Sequence, residues 1–219
     1  MHNNVWLVTG AINTSWGLID PHQRYQQTLN TLVSIKRKDP QALVLLLDSS
    51  MSELTQPQLH ELHSHCDQMW SVGNRKICKL MNTTCMKGAG EAYMLLLGLS
   101  WIRQHELNPT RIFKITGRYS LTQEFDVTTH EHARHKYVFK TRGTHDWGTQ
   151  FLHTRMWSVC GGMQEHTRWL IQQSCAHHIT HACTIEESLF AHMDLTKLTE
   201  FDKIHCEGWI APWNKLIQD

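Results

Sequence analysis

VWLVTGAI (residues 5–12) and ALVLLL (residues 42–47) are apolar runs of strand length without polar alternation, the pattern of strands buried on both faces of a parallel sheet. Between them, DPHQ (20–23) supplies an aspartate N-cap, a proline at the first helical position and a glutamine at the third. Tyr25, Leu29, Leu32 and Val33 then make one apolar stripe, which DP (39–40) stops. The chain therefore opens as βαβ.

Outward from this unit the alternation continues. A short helix is predicted over Gln56 to His65 and a strand over Gln68 to Val72. The longest helix is predicted over Gly88 to Glu106, with Ala92, Leu95, Leu96, Leu99 and Ile102 on one face, followed by the strand RIFKIT (111–116). Beyond it the pattern is less regular. Tyr137 to Lys140 and Met156 to Val159 read as short strands, Gln164 to Ser174 and Ile185 to Met193 as helices, and Gly208 to Pro212 as a terminal strand or loop. The expectation is an α/β fold with a mixed, mostly parallel sheet flanked by helices. At 219 residues, with no Gly-, Ser- or Pro-rich linker and no internal repeat, one domain is expected.

Composition excludes little beyond this. With 21 Lys+Arg against 20 Asp+Glu the net charge is +1, which gives no general field for nucleic acid or membrane. The longest apolar run, Ala42 to Leu47, is far below the roughly 20 residues that span a bilayer, and the opening residues lack signal-peptide features. A cytoplasmic location without a membrane partner is expected. The seven cysteines include no C-x-x-C pair and read as reduced, mostly buried thiols. Among 17 histidines, the clusters His130, His132, His135 and His177, His178, His181 match no standard zinc spacing.

Chemistry concentrates after the strand 111–116. Lys114, Thr116, Gly117, Arg118 and Tyr119 offer a close backbone approach, a two-pronged diphosphate clamp and a stacking ring; a tight turn with a solvated arginine accounts for them equally well. The stretch Arg134 to Trp147 interleaves Arg134, Lys136, Lys140 and Arg142 with Tyr137, Phe139 and Trp147, which suits a polyanion grip or an edge strand with a solvated face.

KITGRY (114–119) resembles the K-I-[ST]-G-R-Y stretch of GT-A-like glycosyltransferases encoded by bacterial polysaccharide clusters, phages and large viruses. VTGAINTS (8–15) with Arg24 and Thr28, KGAGEA (87–92) and CEGWIAPW (206–213) share that likeness. The resemblance implies a GT-A fold with a nucleotide-binding half over about 1–120 and an acceptor and catalytic half over about 121–219. It implies a nucleotide-sugar donor, a UDP-sugar first, and a hydroxylated acceptor: a glycan, a small molecule or, as an alternative, hydroxymethylated pyrimidines in DNA. If the chain is viral, the location is the host cytoplasm. A non-catalytic nucleotide-binding protein is the second alternative.

On this reading Thr9, Ala11, Asn13 and Asp48 face the donor. Lys87, Gly88 and Gly90 open the long helix at the donor phosphates, where the positive end of the helix dipole favours anions. The family usually carries Asp-x-Asp after the fourth strand to hold Mn or Mg, and this chain has none anywhere. Arg118 and Lys114 are therefore expected to neutralise the diphosphate without an obligatory metal, with Mn or Mg held by carboxylates from elsewhere as the alternative. For the base, Gly161-Gly162 followed by Glu186-Glu187 matches the family pattern loosely and points to Glu187, with Asp146 and Glu207 in reserve. Thr184 to Glu187 reads equally as a capping box.

Overall fold

A computed structural model describes residues 4–13, 19–76, 78–79, 86–210 and 215–219. Residues 14–15 of VTGAINTS, 211–213 of CEGWIAPW, and Cys85 lie outside the described residues. The central sheet has seven strands: β1 (Asn4–Gly10), β2 (Leu43–Asp48), β3 (Gln68–Ser71), β4 (Arg111–Thr116), β6 (Tyr137–Lys140), β9 (Met156–Cys160) and β10 (Leu198–Phe201), in the order β10-β6-β9-β4-β1-β2-β3. β1 pairs in parallel with β2 on one side and β4 on the other, and β2 pairs in parallel with β3. β9 runs antiparallel between β4 and β6. β5 (Tyr119–Leu121), β11 (Cys206–Ile210) and β12 (Lys215–Gln218) form a small antiparallel sheet, and β7 (Gly143–Thr144) and β8 (Gln150–Phe151) a hairpin.

The pleat sorts the strands' side chains onto two cores. One face carries Trp6, Val8, Val44, Leu46, Phe113 and Ile115 and is covered by α1 (Pro21–Lys38) through Tyr25, Leu32 and Ile35. There Trp6 and Phe113 stack at 4.3 Å and 7°. The other face carries Leu7, Leu45, Leu47, Ile112 and Trp157 and is covered by α3 (Lys87–Gln104), α5 (Gln164–His181) and α6 (Ile185–His192). The expected N-cap forms, with Asp20 Oδ1 accepting from Gln23 N at 3.0 Å. α2 (Gln56–His63) and α4 (Val127–His132) complete the helices described. Among the described residues no helix is long and apolar enough to cross a membrane.

Five elements escaped the sequence pattern: β5, α4, the β7–β8 hairpin, β10 and β12. α5 also continues to His181, beyond the expected Ser174. Of the histidine clusters, His130 is buried, His132 and His135 are exposed, and His177, His178 and His181 lie in the last turns of α5. Among the described residues no group of three His, Cys, Asp or Glu is placed to hold a metal ion.

His130 shows how one such histidine is used. Buried Arg111 donates from Nε to Ser158 Oγ at 2.7 Å, and the same hydroxyl is hydrogen-bonded to His130 Nδ1 at 2.8 Å. Burial, then the Arg111 guanidinium, pushes the His130 pKa down to about 3. Because the folded pKa lies below the unfolded value near 6.5, the unfolded chain binds the extra proton, and stability is lost as pH falls from about 6.5 towards 3. Comparing wild type with His130→Gln by urea unfolding at pH 7 and pH 4.5, we expect the variant's acid-induced loss to be smaller by up to about 2 kcal/mol. Equal losses in the two proteins remove His130 from the acid response.

Candidate active site

The chain crosses from β1 through β2 to β3 on one side, then returns to place β4 on the other side of β1. Such a reversal leaves a crevice at the carboxyl ends of the strands that diverge, here β1 and β4. Register puts Thr9 beside Thr116 and Leu7 beside Lys114. Residues 7, 9, 114 and 116 thus point to the α3 face, and α3 meets them with Glu91, one turn before Leu95 in its buried stripe.

Glu91 Oε1 collects three donors: Lys114 Nζ at 2.7 Å, Thr9 Oγ1 at 2.9 Å and Thr116 Oγ1 at 3.1 Å. Lys114 Nζ also donates to Thr116 Oγ1 at 2.9 Å and to the Thr154 carbonyl. Burial alone would raise the Glu91 carboxyl, but the Lys114 ammonium and the hydrogen bonds hold it below the usual carboxylate range. Its side chain is 22% exposed, and Oε2 has no hydrogen-bond partner among the described residues. Thr154 carries the network on, its hydroxyl donating to Glu186 Oε1 at 2.7 Å.

This geometry corrects the expected role of Lys114. Its side chain has no exposed surface and its ammonium is fully engaged, so it does not reach a diphosphate. Tyr119 is also corrected: its ring is buried, and burial raises its pKa, so it offers no stacking face. Gly117 makes its close approach to α1 rather than to open space. Its N–H donates to the Thr9 carbonyl at 2.8 Å, and its carbonyl accepts from Thr28 Oγ1 at 3.1 Å.

Arg118 follows β4 at its carboxyl end. Its guanidinium is half-buried and makes no hydrogen bond or ion pair among the described residues. Arg24 of α1 stands near it, donating to the carbonyls of Ile19 and Ala11, each at 3.3 Å. Burial, then the Arg118 guanidinium, lowers the Arg24 pKa, so two like charges share this corner with no described carboxylate paired to either.

The β2 exit completes the corner. Asp48 is buried; its Oδ1 accepts from Ile12 N at 3.1 Å and Ser50 Oγ at 2.9 Å, while Oδ2 has no partner among the described residues. Burial raises this carboxyl, with Ser50 and Ile12 pulling the other way. Asn13 joins the β1 and β2 loops through its N–H to Ser50 Oγ at 2.8 Å and its Nδ2 to the Glu53 carbonyl at 3.0 Å. Ala11 lies between them as the acceptor for Arg24. At the start of α3, Lys87 is exposed, Gly90 is buried, and Gly88 passes so close to α6 that a Cβ there would stand 2.8 Å from Ile185 Cβ.

The three proposed bases are dispersed. Glu187 forms the capping box: Oε2 accepts from Thr184 N at 2.7 Å and Thr184 Oγ1 at 2.9 Å. Burial raises its pKa, but the Thr184 bonds, His145 and the Trp147 indole leave it lowered overall. Asp146 is exposed at the tip of the β7–β8 hairpin. Glu207 on β11 is held by Gln218 Nε2 at 3.2 Å, in a separate polar cleft of about 610 Å³ that also holds His205 and Lys203.

No family model and no curated sequence matches this chain. Solved structures do. The mannosyltransferase Ktr4p of S. cerevisiae superposes with a TM-score of 0.57 at 8% identity, over 91% of this chain and 69% of that one. Core-mannan synthase A of Aspergillus fumigatus, in a Mn/GDP form, gives 0.53 at 8% identity over 91% and 73%. A 4-diphosphocytidyl-2C-methyl-D-erythritol synthase gives 0.51 at 11% identity over 94% and 92%. At such identities the likeness is one of fold, and the fold is GT-A.

The site's floor yields a direct test. Glu91→Met strands the Lys114 ammonium in the interior and should cost about 3 kcal/mol or more. Lys114→Met should cost less, because the Glu91 side chain reaches water. In chemical denaturation the double variant should recover much of the Glu91→Met loss. Additive losses would mean that the two charges do not support each other.

Proposed function

We propose that this chain transfers a sugar from a nucleotide-sugar donor, a UDP-sugar first among the candidates, to a hydroxyl acceptor. The observation that carries the reading is the Arg24–Arg118 corner, two unneutralised guanidiniums at the crevice where an α/β sheet of this topology receives its ligand. Arg118 grips the diphosphate in two-pronged fashion, and Arg24 adds charge that stabilises the leaving group. The backbone from Thr9 to Asn13 leaves β1, one strand over from β4, and the buried Asp48 ends β2 beside it; these groups are assigned to the nucleoside.

The residues present do not fit a divalent cation between donor and protein. The place after β4 presents Arg118 rather than a carboxylate pair, and the nearest carboxylate, Glu91, already takes the Lys114 ammonium. The chemistry is therefore assigned to the arginines. Glu187 is assigned as the base, with its Oε1 free of the cap and 3.8 Å from His145 Nε2. The fold also admits nucleotidyl transfer; release of nucleoside diphosphate rather than pyrophosphate decides for sugar transfer.

Arg118→Ala should abolish the thermal stabilisation that nucleotide sugars give the wild type, while moving the Tm of the free protein little. Lysine at this position should rescue poorly, since it lacks the fork. Undiminished donor stabilisation in Arg118→Ala removes the clamp. Transfer should continue in excess EDTA; a complete stop, reversed by Mn or Mg, would show that carboxylates assemble a metal site. For the base, Glu187→Gln keeps the cap and should lower turnover roughly 100-fold. Normal turnover in that variant redirects the search to Asp146 and Glu207.

A further inference from the structure

The basic and aromatic stretch from Arg134 to Trp147 is mostly consumed by the fold. Tyr137 and Phe139 lie in the core, Lys140 pairs with Asp219, and Arg142 holds Glu200 with Nε 3.0 Å from Oε1. Trp147 is left over, 70% exposed at the tip of the β7–β8 hairpin.

This indole is not loosely displayed. The turn beneath it is closed by His145 N to the Thr149 carbonyl at 2.9 Å and Gly148 N to the His145 carbonyl at 2.8 Å, with Gly148 at a φ of 89° that suits glycine. One face of Trp147 stacks on His145, centroids 4.3 Å apart and planes 11° apart, and His145 stacks in turn on Phe151 at 4.4 Å. The indole lies close enough to Glu187 to help hold its carboxyl below the usual range, and Glu187 Oε2 is fixed by the Thr184 cap. The second face meets solvent. A large apolar ring so exposed gains little for folding, yet it is stacked on His145, which is itself backed by Phe151.

We propose that Trp147, backed by His145 and Phe151 and edged by Glu187, is the platform on which a pyranose ring of the acceptor stacks. A flat aromatic face takes the C–H face of a sugar, while carboxylates at its rim accept the ring's hydroxyls. The rim is acidic: Glu187 lies against the stack, Asp146 is in the same turn, and Glu186 precedes Glu187. That charge favours a neutral polyol over a nucleotide or a nucleic acid strand, whose phosphates it repels. The platform also stands beside the donor crevice, because Glu186 is bonded through Thr154 to the Lys114–Glu91 pair and Ile185 abuts Gly88 at the start of α3. Calling the sugar an acceptor rests on the transferase reading; the stacking site does not.

The test uses the full chain with ¹⁵N-labelled indoles, the Trp147 resonance being identified by its loss in Trp147→Phe. Methyl pyranosides of glucose, galactose and mannose, maltotriose and cellotriose are titrated, alongside UMP and a single-stranded oligodeoxynucleotide. We expect the Trp147 resonance to move with at least one sugar and with neither nucleic-acid probe. In the transfer assay Trp147→Ala should raise the acceptor KM roughly tenfold, leave the donor KM unchanged and, because the ring is exposed, leave the Tm near that of wild type. Trp147→Phe should keep part of the acceptor affinity. A resonance that no sugar moves, or that only UMP or the oligonucleotide moves, overturns the platform. If sugars move it but no nucleotide sugar stabilises the wild type, the platform stands and the transferase reading falls; if donors stabilise the protein and sugars leave Trp147 silent, the reverse holds.

Discussion

A lysine ammonium with no exposed surface has to be answered inside the protein, and Lys114 is answered by Glu91. Desolvating such a charge costs several kcal/mol, and the cost is offset only when every donor has an acceptor at good distance. Here the acceptors come from three places: Glu91 on α3, Thr116 on the same strand and the Thr154 carbonyl before β9; Thr9 on β1 joins them by donating to Glu91. One buried charge therefore sets the height of α3 above the sheet and ties the ends of β1 and β4 together. It also anchors the segment that leads, through Glu186, into α6. The crevice has a rigid floor because its polar groups are bonded to one another.

That floor is close to neutral, since the two charges are paired and the threonine hydroxyls are spent on Glu91. Recognition of an anion falls to groups above it, and the described cations in that position are Arg24 and Arg118. Lys140, Arg142 and Arg155 carry equal charge but are occupied by Asp219 and Glu200. The distinction matters more than the count, because a paired surface or interior cation contributes little field to a third party. Along 134–147 this removes Lys140 and Arg142, while Arg134 and Lys136 stay exposed.

The first βαβ unit and the long helix were legible because burial on both faces leaves an uninterrupted apolar signature and because Asp20 and Pro21 punctuate it. The floor was legible too, although its signal was read differently. In RIFKIT, Lys114 is the one charge on the face turned to α3, and Glu91 is one carboxylate in the stripe of Leu95, Leu99 and Ile102. Two lone opposite charges facing a shared core point to a pair; reading Lys114 singly makes it a ligand group. The hairpin and the late strands were not legible. β7 and β8 have two residues each, and the segment after β6 is tied to β10 by Arg142 and Glu200 across 58 residues, beyond the reach of local pattern. α4 joins β-branched residues to histidines, all weak helix formers, and exists because Asp126 caps it.

Group transfer from a nucleotide sugar separates two opposite electrostatic needs: positive charge where the diphosphate departs and a proton acceptor where the hydroxyl attacks. On the transferase reading proposed above, the two needs fall to different elements. The cations ride on α1 and the β4–β5 turn, the carboxylates on the start of α6 and the hairpin beside it. The Lys114–Glu91 pair lies between them and cancels itself, so neither end is masked by the floor. The helix termini reinforce the division: the start of α3 at Lys87 adds positive potential towards the crevice, whereas the start of α6 spends its amides on Glu187 through the capping box. The cap and its neighbours hold the Glu187 carboxyl below the usual range, and Oε1 lies 3.8 Å from His145 Nε2. On the transferase reading, the hydrogen bonds that stabilise the helix also fix the oxygen assigned to meet an acceptor hydroxyl, which ties the proposed platform and the proposed base into one arrangement.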